Sequence, residues 1–291
     1  MSAKDCIAAC AFFVLFAIAG CRLDDVTRAF SLAEKHAGNV GKATEGFTPE
    51  QEHYLGRAVA ARIVQKYTAL KDDKANSYLN HVGQALALHA QQPFTYGGYH
   101  FLLLNSNEVN AFAAPDGLIF VTRGMVALLS GESELAAVLA HEIAHVQNKD
   151  AINAIKSSRM TEALLLLGKD AGAGRASVPG GQLLTLFTGS VDDIVNTLVS
   201  SGYSRRQEYA ADAGAKEILA QAGYSTEALD DVLRIMERRM LPSDSGFGAT
   251  HPSAADRLSA VKGTGAGRGQ EAESLARRFK AALGAYASTA R

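Results

Sequence analysis

From Thr48 onward the apolar residues recur at the spacing of amphipathic helices over most of the chain. The first such stretch is TPEQEHYLGRAVAARIVQKY, in which Thr48 can cap, Pro49 suits the first helical position and Gln51 can close a capping box. A second helix is predicted over Lys74 to His89, where Tyr78, Val82, Leu86 and Leu88 recur at helical spacing. The period then changes. YHFLLLNS and GLIFVT are short apolar runs rich in large or β-branched residues, with the turn-forming APDG between them, so a small sheet is predicted here. From Met125 the pattern is helical again. One helix contains LAAVLAHEIAHVQNKD, others span roughly Ser204 to Gln221 and Thr226 to Arg239, and a short one follows Pro252. After the glycine-rich GTGAGRG, residues 270 to 288 carry Leu275, Phe279, Leu283 and Tyr286 on one helical face, the mark of a docked or partner-binding helix. With no internal repeat and no second boundary, residues 48 to 291 read as one mainly helical α+β domain.

Composition narrows the choices. The 291 residues are 47% hydrophobic, enough for one substantial core. With 29 basic against 30 acidic residues there is no overall field to attract nucleic acid, which is set aside as a partner. The cysteines Cys6, Cys10 and Cys21 all precede residue 22, so the rest of the chain forms no disulfide and offers no thiolate to a metal. They lie in MSAKDCIAACAFFVLFAIAGC, where a lysine near the start, an apolar stretch from Ile7 to Ala19 and small residues before Cys21 make a secretory signal pattern. The apolar run is too short to span a bilayer comfortably. Its ending, IAGC, resembles a bacterial lipobox. That resemblance implies a signal peptide over 1–20, a lipid on Cys21, a tether over 21–47 and a place in the bacterial envelope. Arg22, rather than aspartate, after the cysteine points to the outer membrane, facing the periplasm.

The candidate chemistry lies in residues 135 to 150, where His141 and His145 stand four apart in an apolar run with Glu142 beside the first. Residues four apart nearly superpose on one helix face, so the two imidazoles converge on a point. HExxH on a helix is the pattern in which both histidines hold zinc while the glutamate, about 100° round the helix, polarises a zinc-bound water. Catalytic zinc takes three protein ligands and keeps a fourth position for water, whose pKa falls to roughly 7. Glu142 then takes the proton and passes it to the leaving amine. A pair of satisfied core histidines is the alternative, at a large desolvation cost. The best source of a third ligand is GYSRRQEYAADAGAKEILA, where Glu208 and Asp212 share a helix face. Ala210, Ala211 and the small residues after Asp212 leave that helix thin, so that Glu208 can approach the metal. Asp212 can accept a hydrogen bond from the outer nitrogen of a ligand histidine. Taken alone, such a pair is ordinarily a solvated face.

HEIAH followed downstream by SRRQEYAAD is similar to the zinc metallopeptidase family that includes the CAAX prenyl proteases, the HtpX-type heat-shock proteases and soluble periplasmic lipoproteins, peptidase family M48. The resemblance runs from about Asn110 to Val261. It takes in NAFAAPDGLIFVTRGM, the HExxH segment, the set Ser204, Arg205, Glu208, Ala211 and Asp212, and THPS at 250 to 253. It implies a zincin-like domain with one zinc per chain on His141, His145 and Glu208, and Glu142 as general base and acid. It also implies that His251 faces the metal, either bonding the oxyanion or filling the open position at rest. Arg205 is placed with Asp212 behind the ligands. Asn110 and the strand containing Gly117, Leu118 and Ile119 resemble a cleft-edge strand that holds a substrate chain by backbone hydrogen bonds.

The long apolar spans of membrane members of that family are missing. EALLLLG is too short, and QLLTLFTGSVDDIVNTLV is interrupted by Asp192 and Asp193. Residues 152 to 200 read as two amphipathic helices that cover the cleft, lie on the membrane or fill the core. The expectation is a lipid-anchored zinc endopeptidase cutting misfolded or unassembled envelope proteins. The alternative is an envelope chaperone or assembly factor with a latent zinc site, and the oligomeric state stays open.

Overall fold

Three short strands make the sheet: β1 His100–Leu104, β2 Ala111–Ala114 and β3 Leu118–Thr122. Their order is β1-β3-β2, with β3 parallel to β1 and antiparallel to β2. Successive residues enter two different cores. Phe101, Leu103, Ala111, Ala113, Ile119 and Val121 join one, and Leu102, Leu104, Phe112, Ala114, Leu118 and Phe120 the other. A sheet buried on both faces has no place for a polar alternate, which is why its strands read as unbroken apolar runs. The computed structural model of the chain describes residues 47–154, 189–239, 250, 251, 253–261 and 273–287. The expected signal, Cys21, the tether up to residue 46, Pro252 and the middle of 152–200 lie outside them.

On one face of the sheet lies α1, Pro49–Lys66, whose Leu55, Val59 and Ile63 are buried in the second core. Thr48 and Gln51 close the expected capping box, Thr48 Oγ1 accepting from Gln51 N at 3.2 Å and Gln51 Oε1 from Thr48 N at 2.9 Å. Residues 189–196 are helical and end in a π-turn, Thr197–Ser201. Their Val191, Ile194, Leu198 and Val199 are buried against the same core, so this part of 152–200 is core packing.

The opposite face carries α2, Asp73–Ala87, and α4, Glu132–Gln147, reached through the short α3, Arg123–Leu128. Leu88 departs from the predicted apolar face because α2 stops at Ala87, and the side chain is 62% exposed. After the one-turn α5, Asp150–Asn153, the chain returns as α6, Arg205–Gln221, and α7, Glu227–Arg239. Two further helices complete it, α8 Ala254–Val261 and α9 Glu273–Ala287. α9 is docked: Phe279 and Leu283 enter the first core, Arg278 pairs with the buried Glu132 that opens α4, and Tyr286 Oη donates to Asp72 Oδ2 at 2.7 Å. Glu132 also accepts from Tyr78 Oη at 2.7 Å and Tyr224 Oη at 2.8 Å, an anion suited to the N-terminal turn of α4. Among the described residues no helix is long and apolar enough to cross a membrane.

α1 seats on the turn Pro115–Gly117 between β2 and β3 through Gly56, where a Cβ would fall 2.2 Å from the Pro115 carbonyl oxygen. Gly56→Ala is therefore expected to destabilise the fold by about 1–3 kcal/mol, the usual cost of overpacking. Urea unfolding should show a lowered midpoint; an unchanged midpoint would refute so close a seating.

Candidate metal centre

α4 is buried along its length from Leu135 to His145. Its alanines make a groove for α6, whose own contact face is just as small: a Cβ on Gly214 would lie 3.1 Å from Ala144 Cβ. Ala211 and Ala215 on α6 are fully buried as well. This close approach carries Glu208, with no exposed surface, to the two histidines.

The imidazoles face each other with His145 Nε2 3.1 Å from His141 Nε2. Their outer nitrogens are already engaged, His145 Nδ1 with Asp150 Oδ2 at 2.7 Å and His141 Nδ1 with Asp212 Oδ1 at 3.0 Å. With each Nδ1 on a carboxylate, the two Nε2 atoms point into one small volume, where a metal ion can take the place of any proton they carry. Glu208 supplies the next donors, Oε2 at 3.5 Å from His141 Nε2 and Oε1 at 3.5 Å from His145 Nε2. His251 adds Nδ1 at 2.9 Å from both Glu208 oxygens. Ligand atoms of His141, His145, Glu208 and His251 all lie within 4.8 Å of one another. Donors about 2.1 Å from a tetrahedral zinc stand about 3.4 Å apart, so the set fits that ion.

Charge points the same way. Glu142, Asp150, Glu208 and Asp212 are all buried around the histidines, and the permanent cation among them is Arg257, itself 2% exposed. Arg257 Nε donates to Asp212 Oδ2 at 2.9 Å, its Nη2 to Asp212 Oδ1 at 2.5 Å, and Nη1 lies 3.2 Å from Glu208 Oε2. Burial alone would raise the Glu208 carboxyl, but His251, Arg257 and the two ligand imidazoles hold it well below the usual carboxylate range. Asp212 is depressed in the same manner, burial being overcome first by Arg257. Burial also works against protonation of His145, yet Asp150 and Glu208 outweigh it and raise its pKa to about 10. Among the three histidines of the site, His251 is the one whose neutral form is favoured, because burial dominates there. The buried carboxylates outnumber the one guanidinium, so a divalent ion can take over from imidazole protons in balancing them.

Two further polar atoms are buried without a hydrogen-bond partner, Glu142 Oε1 and Tyr203 Oη. Both side chains line one narrow cleft with Ala111, Ala113, Thr197 and His251. Tyr203 stacks on His145, ring centroids 4.4 Å apart and planes 29° apart. Gly202, at φ 70°, brings this segment against the His251 loop; a Cβ there would lie 2.0 Å from the Thr250 oxygen, to which Tyr203 N donates at 3.1 Å.

Several expected site residues stand elsewhere. Arg205 is on the first residue of α6, its side chain 70% exposed and 3.4 Å from Asp256; the head of an arginine there stays in water, and Arg257 fills the place behind the ligands. Asn110 is fully buried, with Oδ1 accepting from Ala111 N and Nδ2 donating to Glu108, so its side chain is turned into the fold and not presented at a surface. Gly117 belongs to the β2–β3 turn, and Leu118 and Ile119 lie in the central strand, paired on both sides. Among the described residues both outer strands, β1 and β2, have an edge unpaired by another strand. That of β1 is occupied by Asn80 on Phe101, Asn76 on Leu103 N and Leu70 N on the Leu103 carbonyl, which leaves β2, Ala111–Ala114, as the edge not taken in this way. Sequence reasoning missed Arg257, Tyr203 and the part played by Asp150. Asp150 closes the very segment that carries both histidines, five residues beyond His145, and was the most discoverable of the three.

The model of the family described as peptidase family M48 matches residues 73–265. The beta-barrel assembly-enhancing protease of Escherichia coli (strain K12) is 25% identical over 210 residues, 72% of this chain and 42% of that protein. A protease HtpX homolog of Acaryochloris marina is 28% identical over 212 residues, 62% of this chain and 70% of that protein. Another, of Fusobacterium nucleatum, is 30% identical over 189 residues, 54% of this chain and 60% of that protein. The match thus spans well under half the length of the beta-barrel assembly-enhancing proteases.

Because Asp150 orients His145, Asp150→Asn is expected to weaken zinc binding about 10- to 100-fold. Competition with a chromogenic chelator measures this without any turnover, and wild-type affinity in the variant would remove Asp150 from the site.

Proposed function

The chain belongs to peptidase family M48, and on that premise we propose that it is a zinc-dependent endopeptidase hydrolysing peptide bonds of misfolded or unassembled envelope proteins. One observation carries the reading: a donor set fit for zinc, His141, His145 and Glu208, lies beside a buried Glu142 oxygen that has no partner. When held by those three residues, zinc supplies Lewis-acid polarisation of a carbonyl and a water acidified to roughly pKa 7. Glu142 accepts the proton of the attacking water and delivers it to the leaving nitrogen. Burial first, and then the carboxylates of Glu142, Asp150 and Glu208, push the Tyr203 phenol well above its usual value, so it keeps its proton. Its hydroxyl donates to the carbonyl oxygen as negative charge gathers there. His251 is the fourth donor and closes the site between turnovers.

The outer edge of β2 is the place for substrate. Ala111 and Ala113 share a cleft with Glu142, so a chain added along β2 passes the catalytic carboxylate. Backbone pairing of that kind reads no particular sequence and suits unfolded polypeptides. Thr197 and Leu198 line the same cleft, and a substrate enters by displacing that turn. Relatives described as beta-barrel assembly-enhancing proteases support clients that are proteins awaiting assembly. The IAGC segment supports a signal over 1–20, a lipid on Cys21, a tether over 21–47 and an outer-membrane location facing the periplasm.

Glu142→Gln, compared with wild type at equal bound zinc, is expected to lose about 10²- to 10⁴-fold in the rate of fragment formation from unfolded casein. Tyr203→Phe should lower kcat about 10²-fold and leave KM in place. Equal cleavage by wild type and Glu142→Gln would sink the mechanism. No cleavage by either, with aggregation of unfolded protein still suppressed, would favour the chaperone alternative.

A further inference from the structure

A second cavity, of about 130 Å³, opens beside the metal donors; its walls include Phe94, Tyr96, Ala114, His145 and Lys149. Phe94 is 78% and Tyr96 59% exposed, although both are large and largely apolar. They belong to a connection between α2 and β1 that has no regular structure of its own. Such a segment would ordinarily move and fold its aromatic rings inward. Here it is clamped. The Asp116 carboxylate accepts from Tyr96 N and Gly97 N, both at 2.9 Å, and lies 2.6 Å from His53 Nδ1. Thr95 Oγ1 donates to the Asp116 carbonyl at 2.9 Å. The His53 ring in turn rests against Tyr96, centroids 5.4 Å apart.

Two backbone features show that the clamp is built at some cost. Asp116 sits at φ 63°, ψ 22°, in the left-handed region that L-residues enter with a penalty. Gly97 is required because a Cβ there would lie 2.5 Å from His53 Nδ1 and 2.7 Å from Asp116 Oδ2. The product of these constraints is an aromatic pair held in water at the mouth of a cavity. That cavity meets the end of β2 at Ala114 and the metal group at His145. A polypeptide extended along β2 and past Glu142 has alternate side chains pointing the same way. Ala113 and Ala114 of β2 line this opening, so a chain paired along β2 passes over it.

We propose that Phe94, Tyr96 and the cavity behind them form a subsite for a large apolar side chain, aromatic by preference, of an unfolded polypeptide extended along β2. The inference rests on the reading of the protein as a peptidase and adds the feature by which it selects clients. Aromatic rings attract one another beyond the area they bury, and a folded protein keeps such side chains inside. The subsite therefore admits chains that have lost, or not yet gained, their fold.

The test uses the full chain carrying Glu142→Gln and measures binding alone, so that it does not depend on hydrolysis. Fluorescein-labelled twelve-residue peptides of glycine, serine and threonine carry a single phenylalanine moved from one position to the next, with an all-polar peptide as control. Fluorescence anisotropy is expected to show one register at which phenylalanine tightens binding about ten-fold or more. Adding Phe94→Ser with Tyr96→Ser should abolish that gain and leave binding of the polar peptide and the zinc content unchanged. Asp116→Asn should reduce the same gain by freeing the loop. No preferred register, or a preference that survives the double substitution, overturns the subsite. A double substitution that alters only the sedimentation of the chain also overturns it, in favour of contact between copies. Absence of casein cleavage by the wild type would refute the peptidase reading while leaving this binding result to stand or fall separately.

Discussion

Two imidazole nitrogens 3.1 Å apart, each on a ring whose other nitrogen is bound to a carboxylate, set the constraint around which the molecule is arranged. Two buried imidazole nitrogens aimed at each other are unfavourable unless a cation, a proton or a metal ion, lies between them. A metal ion held by His141, His145 and Glu208 would meet that requirement, and the surroundings fix the donors in place. α6 is narrow on the side that meets α4, so Glu208 and Asp212 reach the two histidines from one turn of one helix. Asp150 receives Gln207 Nε2 at 3.0 Å on its other oxygen, which links the cap of α6 to the orientation of His145. Gly202 lets the His251 segment close on the start of the same helix.

Arg257 shows how such a site survives in the interior. Its guanidinium spans Asp212 and Glu208 and offsets two carboxylates whose desolvation would otherwise be severe. Fork-shaped donation to Asp212 also fixes the carboxylate that receives the His141 proton, so charge balance and ligand geometry are supplied by one side chain. Of the buried polar atoms without a hydrogen-bond partner, the two that border the metal donors, on Glu142 and Tyr203, are the ones assigned to the reaction. Unsatisfied groups in a polar, well-packed site are tolerated where a substrate or water completes them.

The sheet contributes a second, independent constraint. β3 is paired on both sides and the outer edge of β1 is taken by Asn76 and Asn80, whereas β2 borders both the narrow cleft at Glu142 and the cavity beneath Phe94 and Tyr96. In the proposed reading, backbone pairing along β2 is indifferent to sequence, whereas the clamped aromatic pair selects apolar side chains. Recognition is thereby divided between an edge that asks for extended structure and a pocket that asks for exposed hydrophobicity. An unfolded protein offers both.

The amino-acid sequence by itself determined whatever depends on residues close together in the chain. The capping box of Thr48 and Gln51, the helical spacing of HExxH, the pairing of Glu208 with Asp212 and the unbroken apolar runs of β1 and β3 are of this kind. Downstream motifs in a recognisable order extended that legibility to Glu208 and His251. Tertiary structure alone decided which edge of the sheet borders the metal donors, since AFAA carries no strand signal and β2 exists only because β3 offers it a partner. It also decided that Arg257 rather than Arg205 stands behind the ligands. One arginine lies on α8 and the other on the exposed start of α6, and no spacing along the chain reveals which faces the interior. Asp116 belongs with these, for its role depends on a turn that meets a distant loop and on His53, which lies 63 residues away. Periodicity reports the face a residue occupies on its own element; what that face meets is a matter of packing between elements, which local sequence does not encode.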